Sequence, residues 1–111
     1  MVRLPLEMGT KMNEVEKELP IGDLLNAQTG RIGWSELARH FARGVVIDVR
    51  PDEDLVAIAE ALVRDQADEI DRLHKSGRLH RATDHDAIRW QEENSQFWAV
   101  VVAPWVLVQE L

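Results

Sequence analysis

Apolar residues recur along most of this chain at the three- and four-residue spacing that places them on one face of a helix. This spacing predicts a short first helix that ends at Gly30 and a second helix over residues 35–43. One face of the second helix carries Trp34, Leu37, Ala38 and Phe41. Gly44 follows that helix and can adopt the left-handed conformation that commonly closes one.

Two other segments are typical of β-strands. Residues 45–49 form a β-branched run between Gly44 and Pro51. Residues 98–109 form a longer, valine-rich run that is apolar on both sides of the chain, as in a strand that is covered on both faces. Pro104 lies within that run and has no backbone N–H to donate, so it predicts a bulge, a bend or a sheet edge.

Three more helices are predicted between these strands. The first covers about residues 52–64 with Asp52 as its N-cap, and the second continues to about Lys75. The third begins after Thr83, whose hydroxyl can accept a hydrogen bond from the first turn. Acidic residues in that first turn would face the positive end of the helix dipole.

These elements predict a small α+β domain over residues 20–111, in the order α-α-β-α-α-α-β, with the helices packed on a small sheet. Residues 1–19 have weak periodicity and little to bury, so we expect a disordered or frayed leader there. Met1, Met8 and Met12 are alternative starting residues.

Composition and charge exclude several classes of function. The chain has 111 residues and no cysteine, which excludes a disulfide scaffold, a cysteine nucleophile and a thiolate zinc site. Its formal charge of -7 argues against DNA binding, including by a helix-turn-helix over residues 20–43. The longest apolar run, residues 97–108, is shorter than the roughly 20 residues that span a bilayer, and residues 1–20 resemble no targeting signal. We therefore expect a cytoplasmic protein without membrane contact.

Histidines and carboxylates are densest between residues 80 and 86. His80, Asp84, His85 and Asp86 offer nitrogen and oxygen ligands that zinc or manganese accepts. Metal-binding histidines on one helix face lie four residues apart, whereas His80 and His85 are five apart with the helix start between them. The spacing therefore predicts no metal site, and an acid-rich helix start beside solvated histidines accounts for these residues.

A second cluster lies at the end of the first predicted strand and contains Asp48, Arg50, Asp52, Glu53 and Asp54. A carboxylate pair at a strand end could perform acid–base chemistry if burial separated the two pKa values. The alternative is structural, because acidic side chains at the start of a helix complement its dipole. We expect the structural role.

A third cluster is basic. The four cations Arg72, Lys75, Arg78 and Arg81 lie within ten residues that contain no acid, which gives this segment a local charge of +4. Such a patch could bind an anion or an RNA phosphate. The alternative is that cations near a helix C-terminus offset its negative end, and no aromatic residue is interleaved to stack a base.

The C-terminal run also predicts self-association. Two strands alone are marginal in water, and a run that is apolar on both faces needs cover from a second layer. A second copy of the chain is the simplest source, which predicts a homodimer with Trp98, Pro104 and Trp105 at the interface. The competing outcome is a monomer in which the run bends at Pro104 and forms two strands that the chain's own helices cover.

Several short patterns along the chain also match a known family. They are Ile32-x-Trp34-x-x-Leu37, Arg43-Gly44, Asp54-Leu55, Gly77, Trp90 and the ending Val102-Ala103-Pro104-Trp105-Val106-Leu107-Val108-Gln109. Over residues 24–109 the chain thereby resembles the bacterial family called domain of unknown function 2288. The resemblance implies a compact bacterial domain with no established activity, so it carries over no catalytic residues.

Two classes of function remain open. The first is a non-enzymatic interaction or regulatory module that binds a second copy of the chain or another protein and uses no cofactor. The alternative is a small hydrolase or metal-dependent enzyme that uses the carboxylates of residues 48–54 or the region of residues 80–86. Stabilisation by a metal or metabolite would favour the second class.

Overall fold

The computed structural model describes residues 20–111, and the leader expected over residues 1–19 lies outside that range. The helices are α1 (Ile21–Gln28), α2 (Trp34–Ala42), α3 (Leu55–Val63), α4 (Ala67–Lys75) and α5 (Asp84–Glu93). The strands are β1 (Gly30–Gly33), β2 (Val46–Val49), β3 (Leu79–Arg81), β4 (Gln96–Val102) and β5 (Trp105–Glu110). Within the described range, no helix is long and apolar enough to cross a membrane.

The strands form one mixed sheet in the order β1-β4-β5-β2-β3. β2 runs parallel to β5, and the other neighbouring strands are antiparallel. Helices pack on this sheet, so the predicted α+β class is confirmed. The predicted element order is wrong, because it omits β1 and β3 and treats β4 and β5 as one strand.

The two omitted strands are the edges of the sheet. β1 has four residues and β3 has three, and neither shows a β-branched, alternating pattern. Each pairs with a single neighbour, β1 with β4 and β3 with β2. Tertiary pairing rather than local preference therefore makes these segments strands, since the residues themselves have weak β-propensity.

Pro104 divides the C-terminal run into two strands. The Ala103-Pro104 peptide bond is cis, and the chain turns back there so that Val102 faces Trp105 across the ladder. The predicted bend at Pro104 is confirmed, whereas the single continuous strand over residues 98–109 is wrong. β4 and β5 form the most extensive pair in the sheet, and they occupy its centre with β2.

Helices cover both faces of the sheet. On one face, α1, α3 and α4 pack on a core that includes Val100, Val102 and Leu107. On the other face, α2 and α5 supply Leu37 and Trp90 to a second core. The chain's own helices thus account for the apolar character of both sides of β4 and β5, so the inference that a second copy must supply a layer has no basis in this fold.

Of the two N-cap residues predicted from the sequence, one caps its helix in the structure and the other does not. Thr83 caps α5 as expected: it accepts a hydrogen bond from the backbone N–H of Asp86, and the Asp86 carboxylate accepts one from the Thr83 N–H. The expected N-cap Asp52 is wrong. Asp54 caps α3 by accepting a hydrogen bond of 3.1 Å from the Ala57 N–H, because residues 51–53 form a turn before the helix.

This assignment predicts how two acidic substitutions differ. Asp54→Ala should lower the free energy of unfolding by about 0.5–2 kcal/mol, the usual cost of a lost N-cap. Asp52→Ala should cost less, because the Asp52 side chain is exposed and its ion pairs with Arg50 and Arg78 are at the surface. Urea denaturation of both variants at neutral pH measures the difference. A larger loss in Asp52→Ala than in Asp54→Ala would contradict the assignment.

Candidate functional site

Three polar side chains from separate elements meet on the sheet face that α2 and α5 cover. Asp48 on β2 and His80 on β3 are cross-strand partners, and Asp86 lies in the first turn of α5. His80 Nε2 is 2.9 Å from Asp86 Oδ2 and 3.7 Å from Asp48 Oδ2. One ligand atom from each residue lies within 4.8 Å of the other two. We call these residues the Asp48–His80–Asp86 cluster.

Asp48 is the least compensated member of this cluster. Its side chain is 16% exposed, and the His80 imidazole lies 3.7 Å from its carboxylate. Within residues 20–111, no group donates a hydrogen bond to its carboxylate. Burial raises the pKa of Asp48 to about 6, and the opposing attraction of His80 does not cancel that effect.

Asp86 has the opposite environment. Burial alone would raise the pKa of Asp86, but hydrogen bonds from the Thr83 N–H and from His80 hold it below its usual range. Two nearby carboxyl groups therefore differ in proton affinity, which is a pattern common at functional sites and also found in structural networks.

An ion pair borders the cluster. Arg89 on α5 makes a two-pronged contact with the Glu110 carboxylate on β5, and the fully buried Trp90 donates its indole N–H to the same carboxylate at 2.8 Å. The Arg89 hydrogen bonds hold the pKa of Glu110 below its usual range. Neither Arg89 nor Glu110 belongs to a cluster that the sequence predicts. The signal was available in the period of β5, since Glu110 is two residues beyond the partner of Asp48, Val108.

A groove of about 580 Å³ lies on the opposite sheet face, beside β3 and α4. Its apolar lining includes Ile47, Leu62, Ile70, Leu79 and Trp105. Its polar lining includes Asp65, Asp71, His74 and Arg81. The Arg81 guanidinium lies 5.4 Å from the centre of the Trp105 ring and donates hydrogen bonds to the Gly44 carbonyl. We call this feature the β3–α4 groove.

The residues expected at a dimer interface do not form one surface. Pro104 and Trp105 lie at the tight turn between β4 and β5, and Trp105 is half-buried in the β3–α4 groove. Trp98 is 41% exposed at the far end of the same pair of strands, opposite Gln109. It borders a separate, more polar pocket near the start of α3.

The four cations of the expected anion patch are each engaged within the chain. Arg72 pairs with Glu69, and Lys75 pairs with Asp71 at 2.9 Å. Arg78 forms ion pairs with Asp52 and Glu53. Arg81 donates hydrogen bonds to the Gly44 carbonyl. These contacts give the segment local charge balance where the sequence alone shows a surplus of +4.

The structure brings together one residue of the cluster over residues 48–54 and two residues of the cluster over residues 80–86. Asp48 comes from the cluster after the first strand, whereas its neighbours Asp52, Glu53 and Asp54 serve ion pairs and the α3 cap. His80 and Asp86 come from the second region, and Asp84 and His85 stand outside the group of ligand atoms. The sequence could not show this meeting because it did not predict β3.

Comparison with known proteins gives a family and a fold. The model of a family described as "Protein of unknown function (DUF2288)" matches residues 21–110. The chain belongs to this family. The NMR solution structure of PA1075 from Pseudomonas aeruginosa is similar to this DUF2288 chain, with 34% identity and a TM-score of 0.74 over 92% of this chain and 90% of that chain. No curated protein matches, so neither comparison assigns the DUF2288 domain a specific function.

The raised pKa of Asp48 predicts that the stability of this DUF2288 domain falls as pH rises. The folded protein holds the Asp48 proton up to about pH 6, whereas the unfolded chain releases it near pH 3.8. Ionisation of Asp48 should therefore remove stability as pH rises through that window, by up to ~3 kcal/mol at about 1.36 kcal/mol per pKa unit.

Asp48→Asn tests this cost, because an amide cannot ionise. The variant should be more stable than the unmodified protein at pH 7.5 and similar to it at pH 4, as measured by urea denaturation in buffer that contains a chelator. Asp84→Asn serves as the control, since Asp84 is exposed and outside the cluster. An equal difference between Asp48→Asn and the unmodified protein at both pH values would contradict the prediction.

Proposed function

We propose that this DUF2288 protein is a non-enzymatic interaction module of a bacterial cytoplasm that forms a homodimer through the β3–α4 groove. The observation that carries this proposal is the half-buried Trp105 in an apolar groove at the edge of the sheet. Tryptophan is enriched in interface centres, where it supplies a large apolar contact area.

The apolar lining of the groove favours contact with a partner over exposure to water. Ile47, Ile70 and Trp105 are partly buried and remain accessible along the groove, although each also packs on the core beneath. A second chain that covered them would remove apolar surface from water at about 25 cal/mol per Å². The adjoining strand, β3, has three residues and pairs on one side with β2, so a sheet edge borders the same surface.

The charges around the groove favour a second copy as the occupant. In a two-fold interface the same surface serves both chains, so it must carry both members of any ion pair across it. The groove meets this requirement, because the cation Arg81 lines it together with Asp65 and Asp71.

Overall charge limits where two copies can approach. Each chain carries a formal charge of -7, so two chains repel unless the contact surface is locally balanced. The basic segment over residues 72–81 borders the groove and offsets nearby acids there. A two-fold contact here would therefore place the cation Arg81 of each chain near acids of the other.

Sedimentation velocity at micromolar concentration tests the proposal. The unmodified protein should sediment with about twice the chain mass of 12.7 kDa. Trp105→Glu should give the monomer mass without loss of the folded circular-dichroism signal, because a buried charge at the interface costs far more than a charge in water.

Two matched variants locate the interface. Ile88→Glu alters an exposed apolar residue on α5, across the sheet from the groove, and should leave the dimer intact. Trp98→Glu should also leave it intact, since Trp98 lies outside the β3–α4 groove. A monomeric unmodified protein would refute the proposal, and dissociation by Trp98→Glu alone would move the interface to the other end of the strands. Binding of a small molecule in the groove of a monomer would replace the dimer with a ligand site.

A further inference from the structure

We propose that Asp48, His80 and Asp86 form a binding site for one divalent transition-metal ion, which takes Zn²⁺ more tightly than Mn²⁺. The proposal is independent of the dimer, because the cluster lies on the sheet face opposite the β3–α4 groove. One imidazole nitrogen and two carboxylate oxygens are a ligand set that both ions accept, and the general order of affinities places Zn²⁺ above Mn²⁺.

The distances within the cluster are close to those of a bound ion. Ligand atoms at about 2.0–2.2 Å from a tetrahedral Zn²⁺ lie roughly 3.3–3.5 Å from one another. His80 Nε2 lies 2.9 Å from Asp86 Oδ2 and 3.7 Å from Asp48 Oδ2, which bracket that separation. All three ligand atoms lie within 4.8 Å of one another. Side-chain shifts of about 1 Å would therefore bring them to the separations of a tetrahedral Zn²⁺ site.

The backbone positions of the three ligands are fixed before any ion binds. Asp48 and His80 face each other in the β2–β3 ladder, so their separation follows from strand register. The capping box of α5 holds Asp86, whose carboxylate accepts the Thr83 N–H at 2.9 Å. Metal-ligating carboxylates are commonly oriented by such hydrogen bonds, and ligands on regular elements are held more accurately than ligands on loops.

The carboxylate of Asp48 supplies an independent reason for a cation at this point. It is largely buried, and within residues 20–111 it accepts no hydrogen bond. A buried carboxylate without donors is costly unless a cation compensates it. Arg89 is the nearest arginine on α5, but its guanidinium is occupied by Glu110 and Glu93. A metal ion between Asp48 and Asp86 would neutralise both carboxylates at once.

Access and coordination number are also suitable. The His80 side chain is 42% exposed, so an ion can reach the cluster from solvent without opening the core. On binding, His80 Nε2 would exchange its hydrogen bond to Asp86 for a bond to the metal. Three protein ligands leave a fourth position for water, the arrangement of an open zinc site rather than a closed structural one.

Isothermal titration of chelator-treated protein with ZnCl₂ tests the site. We expect one Zn²⁺ per chain, weaker binding of MnCl₂, and an upward shift in melting temperature with Zn²⁺. Asp48→Asn should weaken Zn²⁺ binding by at least about 10-fold. This variant is expected to fold well because it removes an uncompensated buried charge, so lost binding cannot be ascribed to unfolding.

His80→Ala should also abolish the stoichiometric binding, and His85→Ala is its matched control. His85 is exposed and lies beside the cluster without contributing to it, so its loss should leave affinity within about 2-fold of the unmodified protein. Titration with CoCl₂ adds a spectroscopic measure: the visible absorption of a four-coordinate Co²⁺ should appear in the unmodified protein and vanish in Asp48→Asn.

Three results would overturn the proposal. The first is the absence of Zn²⁺ binding in the micromolar range. The second is Zn²⁺ affinity that is unchanged in Asp48→Asn and in His80→Ala, and the third is binding that is lost in His85→Ala. In the first two cases the cluster would be a hydrogen-bonded contact that ties β3 to α5 without holding an ion, and in the third case the ion would bind through His85 instead.

Discussion

The fold depends on one constraint: the central strands β4 and β5 are apolar on both sides and must be covered on both. The chain reverses at Pro104, so these strands lie next to each other and present two broad apolar faces. The two faces bury separate cores, one under α1, α3 and α4 and the other under α2 and α5. Every helix therefore packs on one face, and the β3–α4 groove lies where this cover ends, at the β2–β3 side of the sheet.

The alternation of side chains along β2 divides that side of the sheet into two different surfaces. Ile47 points into the β3–α4 groove, and Asp48 points to the opposite face among polar groups. β3 repeats the division, because Leu79 and Arg81 line the groove whereas His80 meets Asp48 and Asp86. A strand period of two thus gives one edge an apolar face suited to a partner and a polar face suited to a cation.

Elements with regular apolar spacing were predictable from the sequence, and the strands that form only by pairing with a neighbour were not. The helices and the first core strand were predictable because their apolar spacing is regular, and the bend at Pro104 followed from a missing N–H. β1 and β3 were not, because short edge strands acquire their conformation from a neighbour. The cluster required β3, so Asp48 and His80 remained in two unrelated motifs. The α3 cap fell two residues from its expected place because several adjacent acids could serve.

β3 is the element on which both surfaces depend. It has three residues and one partner strand, so backbone hydrogen bonds alone hold it weakly. Its side chains supply the remaining attachment: Leu79 enters the core, His80 bonds to Asp86, and Arg81 bonds to the Gly44 carbonyl. Contacts on either face of the sheet therefore restrict the same short strand. An ion on His80 and a partner that covered Leu79 and Arg81 would each add an attachment to β3 that its backbone hydrogen bonds do not supply.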